Sequence, residues 1–192
     1  MVGFQDETWW SRVSPPTVSA WTDQDQPLRL LEQTVPRGEP KALACYGLLW
    51  SARYHADREG DEIWLRFVDG RPVSAITTQF LAWCCERLGA RGVRVCVLVW
   101  DTASWHISRE TKAWLREHNR AVKRNGEGVR ILPCPLPVKS PWLNPIEVHW
   151  YHGKRQTLQA ERVLSAEELE ARVCRYYGCD HESPLVIPEK AA

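Results

Sequence analysis

The stretch Val93-Arg-Val-Cys-Val-Leu-Val-Trp100-Asp101-Thr-Ala-Ser-Trp-His106 decides the fold. From Val93 to Trp100 only Arg94 is polar. Such a run suits a central strand buried on both faces of a sheet. Asp101 then stands at the strand's carboxyl end, where open α/β sheets gather their ligands. A carboxylate there also has a plainer use, because it often caps the turn that follows.

Upstream of that strand, Ile76, Phe80, Trp83, Cys84 and Leu88 recur at helical spacing and predict a helix from about Ser74 to Leu88. Gly89 and Gly92 end it. Glu62–Val68 alternates Ile63, Leu65 and Phe67 with Trp64 and Arg66, as an antiparallel strand does, and Asp69-Gly70 turns the chain. Lys41–Ala52 reads as a long strand and Ser19–Thr22 as a short one. Val2–Asp6 reads as a short strand that Trp9 and Trp10 continue.

Downstream, Ser108 opens a helix to Asn125, with Thr111, Trp114, Leu115, His118 and Val122 on one face. Gly126 and Gly128 stop it, and Val129–Leu132 is a short strand. Pro133–Pro141 leads to a helix for which Asn144 is a good N-cap and Pro145 a good first residue. Ser165-Ala-Glu-Glu168 is a capping box with Leu164 and Leu169 as its staple, and Gly178 ends the last helix. Strands first, then alternating helices and strands, predict an α/β fold: a mixed sheet flanked by helices.

The 192 residues suit a single domain over 1–192 with a core of its own. At 44% hydrophobic and 26% charged residues the composition is globular, and the eleven tryptophans are anchors for core and rim. A net charge of +1 argues against a strongly basic nucleic-acid module, so local patches must attract any phosphate. No apolar run approaches the ~20 residues of a membrane span, and Met1-Val-Gly-Phe-Gln-Asp6 is unlike a signal peptide. Seven cysteines without a regular framework fit reduced thiols, and hence a cytoplasmic location.

Glu147 falls in the first turn of the helix that follows Asn144, and Asp6 lies on the first strand. With Asp101 they make three carboxylates on two strands and a helix, the oxygen donors that a hard divalent cation needs. Two such ions about 3.5–4 Å apart favour in-line displacement at a phosphodiester. Glu147 also fits the third position of a capping box opened by Asn144. Glu7 adjoins Asp6, and strand alternation sends the two to opposite faces.

Asp101-Thr-Ala-Ser-Trp-His106 resembles the Asp-Asn-x-x-x-His segment of mariner-like DDE transposases. Ser140-Pro-Trp-Leu-Asn-Pro-Ile-Glu147 resembles their Ser-Pro-x-Leu-Asn-Pro-Ile-Glu signature, which carries the last acidic residue of the triad. Phe4-Gln-Asp6-Glu7 is similar to their first strand, with Asp6 as first triad member. Likeness extends through Lys41–Gly47, Phe67–Pro72 and His152–Arg155, and is strongest to the bacterial insertion-sequence branch called the six-thirty group. Thr102 replaces the usual Asn, and the 45 residues between Asp101 and Glu147 exceed the commoner spacing.

This resemblance implies a ribonuclease H-like fold, two Mg²⁺ ions (or Mn²⁺) held by Asp6, Asp101 and Glu147, and cleavage and strand transfer at the ends of an insertion sequence. Which pair of carboxylates holds the second ion stays open. The implied partners are double-stranded DNA, both transposon ends and target, and a second copy of the chain, on the nucleoid of a bacterial cytoplasm. Members of the group carry a helix-turn-helix region ahead of the first strand, whereas here three residues precede Phe4. The expectation is the catalytic half of a split reading frame, partnered by a separate helix-turn-helix polypeptide, or a truncated remnant. An inactive DNA-binding or dimerising regulator, or a structure-selective nuclease of the same fold, are the alternative functions.

His106 is either a loop histidine bonded to backbone or a group that supports the metal site or contacts DNA, and Asn144 is a candidate for the same supporting role. Lys123, Arg124, Lys154 and Arg155 are the candidate contacts to DNA phosphates, against the plain reading of a solvated charged face. Cys174, Cys179 and His181, with His149 or His152, are raw material for zinc, but Cys-x4-Cys departs from the usual knuckle and the set is scattered.

Overall fold

Val2–Ser11 forms strand β1, ten residues that alternate between the two faces of a sheet. The computed structural model describes residues 1–13, 34–51, 60–157 and 162–188; the short strand expected at Ser19–Thr22 lies outside them. After β1 come β2 (Ala42–Trp50), β3 (Glu62–Asp69), α1 (Ser74–Ala90), β4 (Val95–Trp100), α2 (Arg109–Asn125) and β5 (Arg130–Pro135). A 3₁₀ turn at Pro141–Leu143 precedes α3 (Ile146–Thr157), α4 (Ala166–Tyr177) and β6 (Leu185–Val186).

The strands form one mixed sheet in the order β5-β4-β1-β2-β3-β6. Strands β1, β2 and β3 pair antiparallel, while β4 pairs parallel with both β1 and β5. Helices α1 and α2 cover one face through Ile76, Phe80, Leu81, Leu88 and Leu115, packed on Tyr46, Leu48, Leu98 and Trp100. Helices α3 and α4 cover the other through Ile146, Trp150, Leu169 and Val173, packed on Phe4, Trp10, Leu49 and Phe67. The sheet flanked by helices is therefore present, in three layers.

Local signals account for most boundaries. Ser108 caps α2 by accepting from the Thr111 N–H at 3.0 Å, and Gly126 ends it in the left-handed conformation. The capping box of Ser165 and Glu168 is complete, and Gly178 closes α4.

Three expectations need correction. β4 is fully buried on one face only: Cys96, Leu98 and Trp100 are buried, while Val95, Val97 and Val99 are half-buried. The cause is that α3 packs on β1 and β2 and α4 on β3, leaving the far side of β4 partly uncovered. β5 runs through Pro133 to Pro135 rather than stopping at Leu132, which an edge strand tolerates because one of its sides makes no ladder. β6, two residues paired with β3, carries no sequence pattern by which to foresee it.

Candidate active site

The parallel ladder of β1 and β4 pairs Phe4 with Val99. Two residues further along each strand stand Asp6 and Asp101, so one register brings both carboxylates to the same end of the sheet. Helix α3 crosses β1 and β2 beside them, with Glu147 in its first turn. What binds that turn to β1 is Asn144: its Nδ2 donates to the Gln5 carbonyl at 3.0 Å. The expected side-chain cap is absent, since the Asn144 Oδ1 is buried with no partner among the described residues. Only the backbone carbonyl of Asn144 meets the Glu147 N–H, at 3.1 Å, so the capping-box reading of Glu147 does not hold.

Asp6 is 9% exposed and lies under α3, where the Trp150 Nε1–H donates to its Oδ2 at 2.9 Å. Room for that indole comes from Gly47, paired with Asp6 across the β1–β2 ladder. A Cβ at Gly47 would clash with the edge of the Trp150 ring. Burial, the adjoining Glu7 and then Glu147 push the Asp6 carboxyl up to about 8, although the Trp150 hydrogen bond opposes them.

The Asp101 side chain is 48% exposed, and its hydrogen bonds fall on Oδ1: the Ala103 N–H donates at 2.9 Å and His106 Nδ1 lies at 2.8 Å. The turn-capping role is thus real, and it is met by one oxygen of the two. The hydrogen bond from His106 leads the causes that hold this carboxyl below its usual value. His106 is fully buried, stacks on Trp100 at 4.5 Å, and turns its Nε2 to Glu7 Oε1 at 2.9 Å. Burial disfavours its charged form, but the hydrogen bonds to Asp101 and Glu7 prevail and raise it to about 9. His106 Nδ1 also lies 3.3 Å from the Asp101 backbone carbonyl, so the loop-histidine contact to backbone and the contact to the candidate ligand are both present.

Glu147 is raised by burial, which Lys154 opposes and Asp101 reinforces. Lys154, two turns on, is lowered by burial while Glu147 and Asp6 pull it back up. Glu147 is therefore within electrostatic reach of both Asp6 and Asp101, and Lys154 of Glu147 and Asp6. Among the described residues, however, no three His, Cys, Asp or Glu side chains form one group able to hold an ion. Like charges repel when no cation lies between them, and Asp6 and Asp101 are meanwhile tied to Trp150 and His106. The donor set nonetheless fits a hard divalent ion: all three are oxygen donors, and Glu147 raises Asp6 while Asp101 raises Glu147.

The four basic candidates do not share one surface. Arg155 is exposed on α3, with its guanidinium 5.5 Å from the Tyr151 ring centroid. Lys123 and Arg124 lie exposed in the last turn of α2. That helix starts near Asp101 and runs back along the sheet for 17 residues, about 25 Å at 1.5 Å per residue. Its end therefore lies beside the start of β5, at the opposite end of the parallel strands from the carboxylates.

No zinc cluster forms among the described residues. His181 pairs with Glu170 at 2.8 Å, His149 with Asp61 at 3.3 Å, and Cys179 Sγ donates to the Cys174 carbonyl at 3.6 Å. Sequence reasoning placed Glu7 on the face opposite Asp6 without a role at the site, and gave Trp150 none. Trp150, three residues after Glu147, shares a helix face with it, and Gly47 opposite Asp6 was the matching signal.

Known structures share this fold. The fold is similar to the Mos1 transposase paired-end complex with left transposon end, at 19% identity over 93% of this chain and 48% of that one, TM-score 0.61. It is similar to the Mos1 mariner paired end complex with Mn, at 18% identity over 93% of this chain and 48% of that one, TM-score 0.59. The catalytic domain of Mos1 mariner transposase matches at 17% identity over 93% of this chain and 70% of that one, TM-score 0.56. The chain thus has the ribonuclease H-like fold, and it spans about half the length of the transposase in the paired-end complexes. Among curated proteins none matches significantly. A family model described as DDE superfamily endonuclease matches residues 3–170, and with most of its length inside that match the chain belongs to the DDE superfamily endonucleases.

Proposed function

We propose that this chain is a transposase catalytic domain that cleaves phosphodiester bonds at the ends of an insertion sequence and joins the freed 3′-hydroxyl to a target duplex. The observation that carries the reading is the parallel β1–β4 register, which sets Asp6 beside Asp101, with Glu147 facing them from α3. The single domain 1–192 holds this machinery, working on DNA in a bacterial cytoplasm. No helix among the described residues is long and apolar enough to cross a membrane.

Asp6, Asp101 and Glu147 are the residues that would hold two Mg²⁺ or Mn²⁺ ions through carboxylate oxygens. Such ions, when bound, supply activation of the attacking oxygen and charge neutralisation at the leaving one. Trp150 orients Asp6 and His106 orients Asp101, so both carboxylates present themselves in fixed directions. Lys154, whose ammonium feels Glu147 and Asp6, would offer a cation to a DNA phosphate beside the carboxylates. Arg155 contacts the backbone beside it. Paired-end complexes are described for Mos1, and pairing two ends here uses two copies of the chain.

The test is a cleavage and strand-transfer assay with the purified chain, Mg²⁺ or Mn²⁺, and duplexes that carry the ends flanking its reading frame. Metal-dependent nicks with 3′-hydroxyl products, and their joining to a second duplex, are expected. Cleavage without divalent metal, or hydrolysis confined to RNA–DNA hybrids, would overturn the reading.

A further inference from the structure

We infer that Glu7 is a positioning residue for Asp101: through the His106 ring it holds one carboxyl oxygen of Asp101 and leaves the other turned to the metal site. The inference rests on the reading of Asp101 as a metal ligand. Alternation along β1 sends Glu7 to the face opposite Asp6, among α1 and α2. A carboxylate buried there is costly unless it is fully partnered. The Glu7 side chain is 6% exposed, and three donors converge on it. Gln5 Nε2 donates to Oε1 at 2.8 Å, Trp105 Nε1 donates to Oε2 at 3.0 Å, and His106 Nε2 lies 2.9 Å from Oε1.

Two of these donors come from the loop after β4, so a purely structural role would be to pin that loop to β1. The far side of the imidazole argues for more. His106 Nδ1 meets Asp101 Oδ1 at 2.8 Å, and each ring nitrogen thus faces a carboxylate oxygen at hydrogen-bond distance. Stacking on Trp100, with the ring planes 14° apart, removes the ring's freedom to tilt. Glu7 is anchored in β1 and Asp101 follows β4, so the rigid ring ties the candidate ligand to the neighbouring strand's backbone. Hydrogen-bonded partners of metal ligands commonly change metal affinity about 10–100-fold when lost.

The experiment measures Mn²⁺ affinity of the full chain by paramagnetic resonance, beside metal-free duplex affinity and the imidazole nitrogen spectrum. Glu7→Gln keeps the shape but loses the charge that receives Nε2–H. It should weaken Mn²⁺ binding about tenfold, shift the His106 nitrogen signals, and leave metal-free duplex binding unchanged. His106→Ala, which deletes the link and leaves Glu7 two donors, should show at least the same loss. Trp105→Phe removes a Glu7 partner without touching the link, and should lower the melting temperature but not Mn²⁺ affinity. Parental Mn²⁺ affinity in either linked variant, or an equal loss in Trp105→Phe, overturns the inference. Asp101→Asn is the reference: if it too binds Mn²⁺ like the parent, the metal reading itself has failed.

Discussion

Trp150 donates its indole N–H to Asp6 across the space that Gly47 leaves in the neighbouring strand. Gly47→Ala would push the indole away from β2, since the added carbon overlaps the ring. Overpacking of this kind costs about 1–3 kcal/mol, and Asp6 would lose the indole as a donor. The expected outcome is a lower melting temperature together with cleavage reduced at least tenfold. An Ala variant with parental cleavage would show that the indole contact does not matter.

Trp150→Phe separates the hydrogen bond from the packing. The bond lowers the Asp6 carboxyl, so its loss should raise that group further above about 8. An ion that needs the ionised form would then bind only at higher pH. The acid limb of the pH–rate profile should move to higher pH in this variant, and an unmoved limb would refute the assignment.

Asp6 should make the metal-free protein less stable as pH rises. Its folded value, about 8, lies above the ordinary 3.8, so between these values the folded state holds more proton than the unfolded one. Stability therefore falls as pH climbs from about 4 to 8. Asp6→Asn keeps an oxygen for the Trp150 N–H and removes the charge. Its stability advantage over the parent should grow across that window to about 1 kcal/mol or more, since a tenfold difference in proton affinity between the two states is worth about 1.4 kcal/mol. Denaturant melts at pH 5 and pH 8 check this, and a constant difference would contradict it.

Asp101→Asn should abolish cleavage while folding and metal-free DNA binding persist. The amide fills the same space but lacks the charge that holds a hard divalent ion. Ca²⁺ should support binding with little turnover in the parent, because its looser coordination misplaces the attacking oxygen. Mg²⁺-dependent cleavage by the Asn variant would count against the mechanism.

DNA binding should divide the basic residues by position. Phosphate contacts give weak, salt-sensitive binding in the range of about 10⁻⁴–10⁻⁶ M. Arg155→Ala should weaken it on any sequence and reduce the salt slope by about one. The pair Lys123→Ala and Arg124→Ala, at the far end of α2, should leave cleavage at the carboxylates unchanged. Titrations at two salt concentrations decide between the groups, and equal losses would mean the duplex wraps along α2.

Much of this molecule is legible in one dimension because the signals are local. Ser108, Gly126, the Ser165–Glu168 box and Gly178 set helix ends by bonds within a few residues. Hydrophobic runs mark the strands, and the spacing of Asp101, Asn144 and Glu147 marks the chemistry. Where packing had to choose, local signals erred. Asn144 reads as a cap, yet its side chain goes to the Gln5 carbonyl of β1, 139 residues away in sequence. Lys123 and Arg124 read as part of a basic site, yet helix direction carries them to the other end of the parallel strands.

The family resemblance, the elements from β1 to α4 and the three candidate carboxylates are written in residue type and short-range spacing, whereas β6 is not. Only the tertiary structure decided what each carboxylate touches. Sheet register brings Asp6 to Trp150 and Asp101 to its place beside β1, and the turn of the loop after β4 brings His106 between Asp101 and Glu7. The Asp6–Trp150 and Glu7–His106 contacts join residues 144 and 99 positions apart, and no periodicity within a single element can announce them.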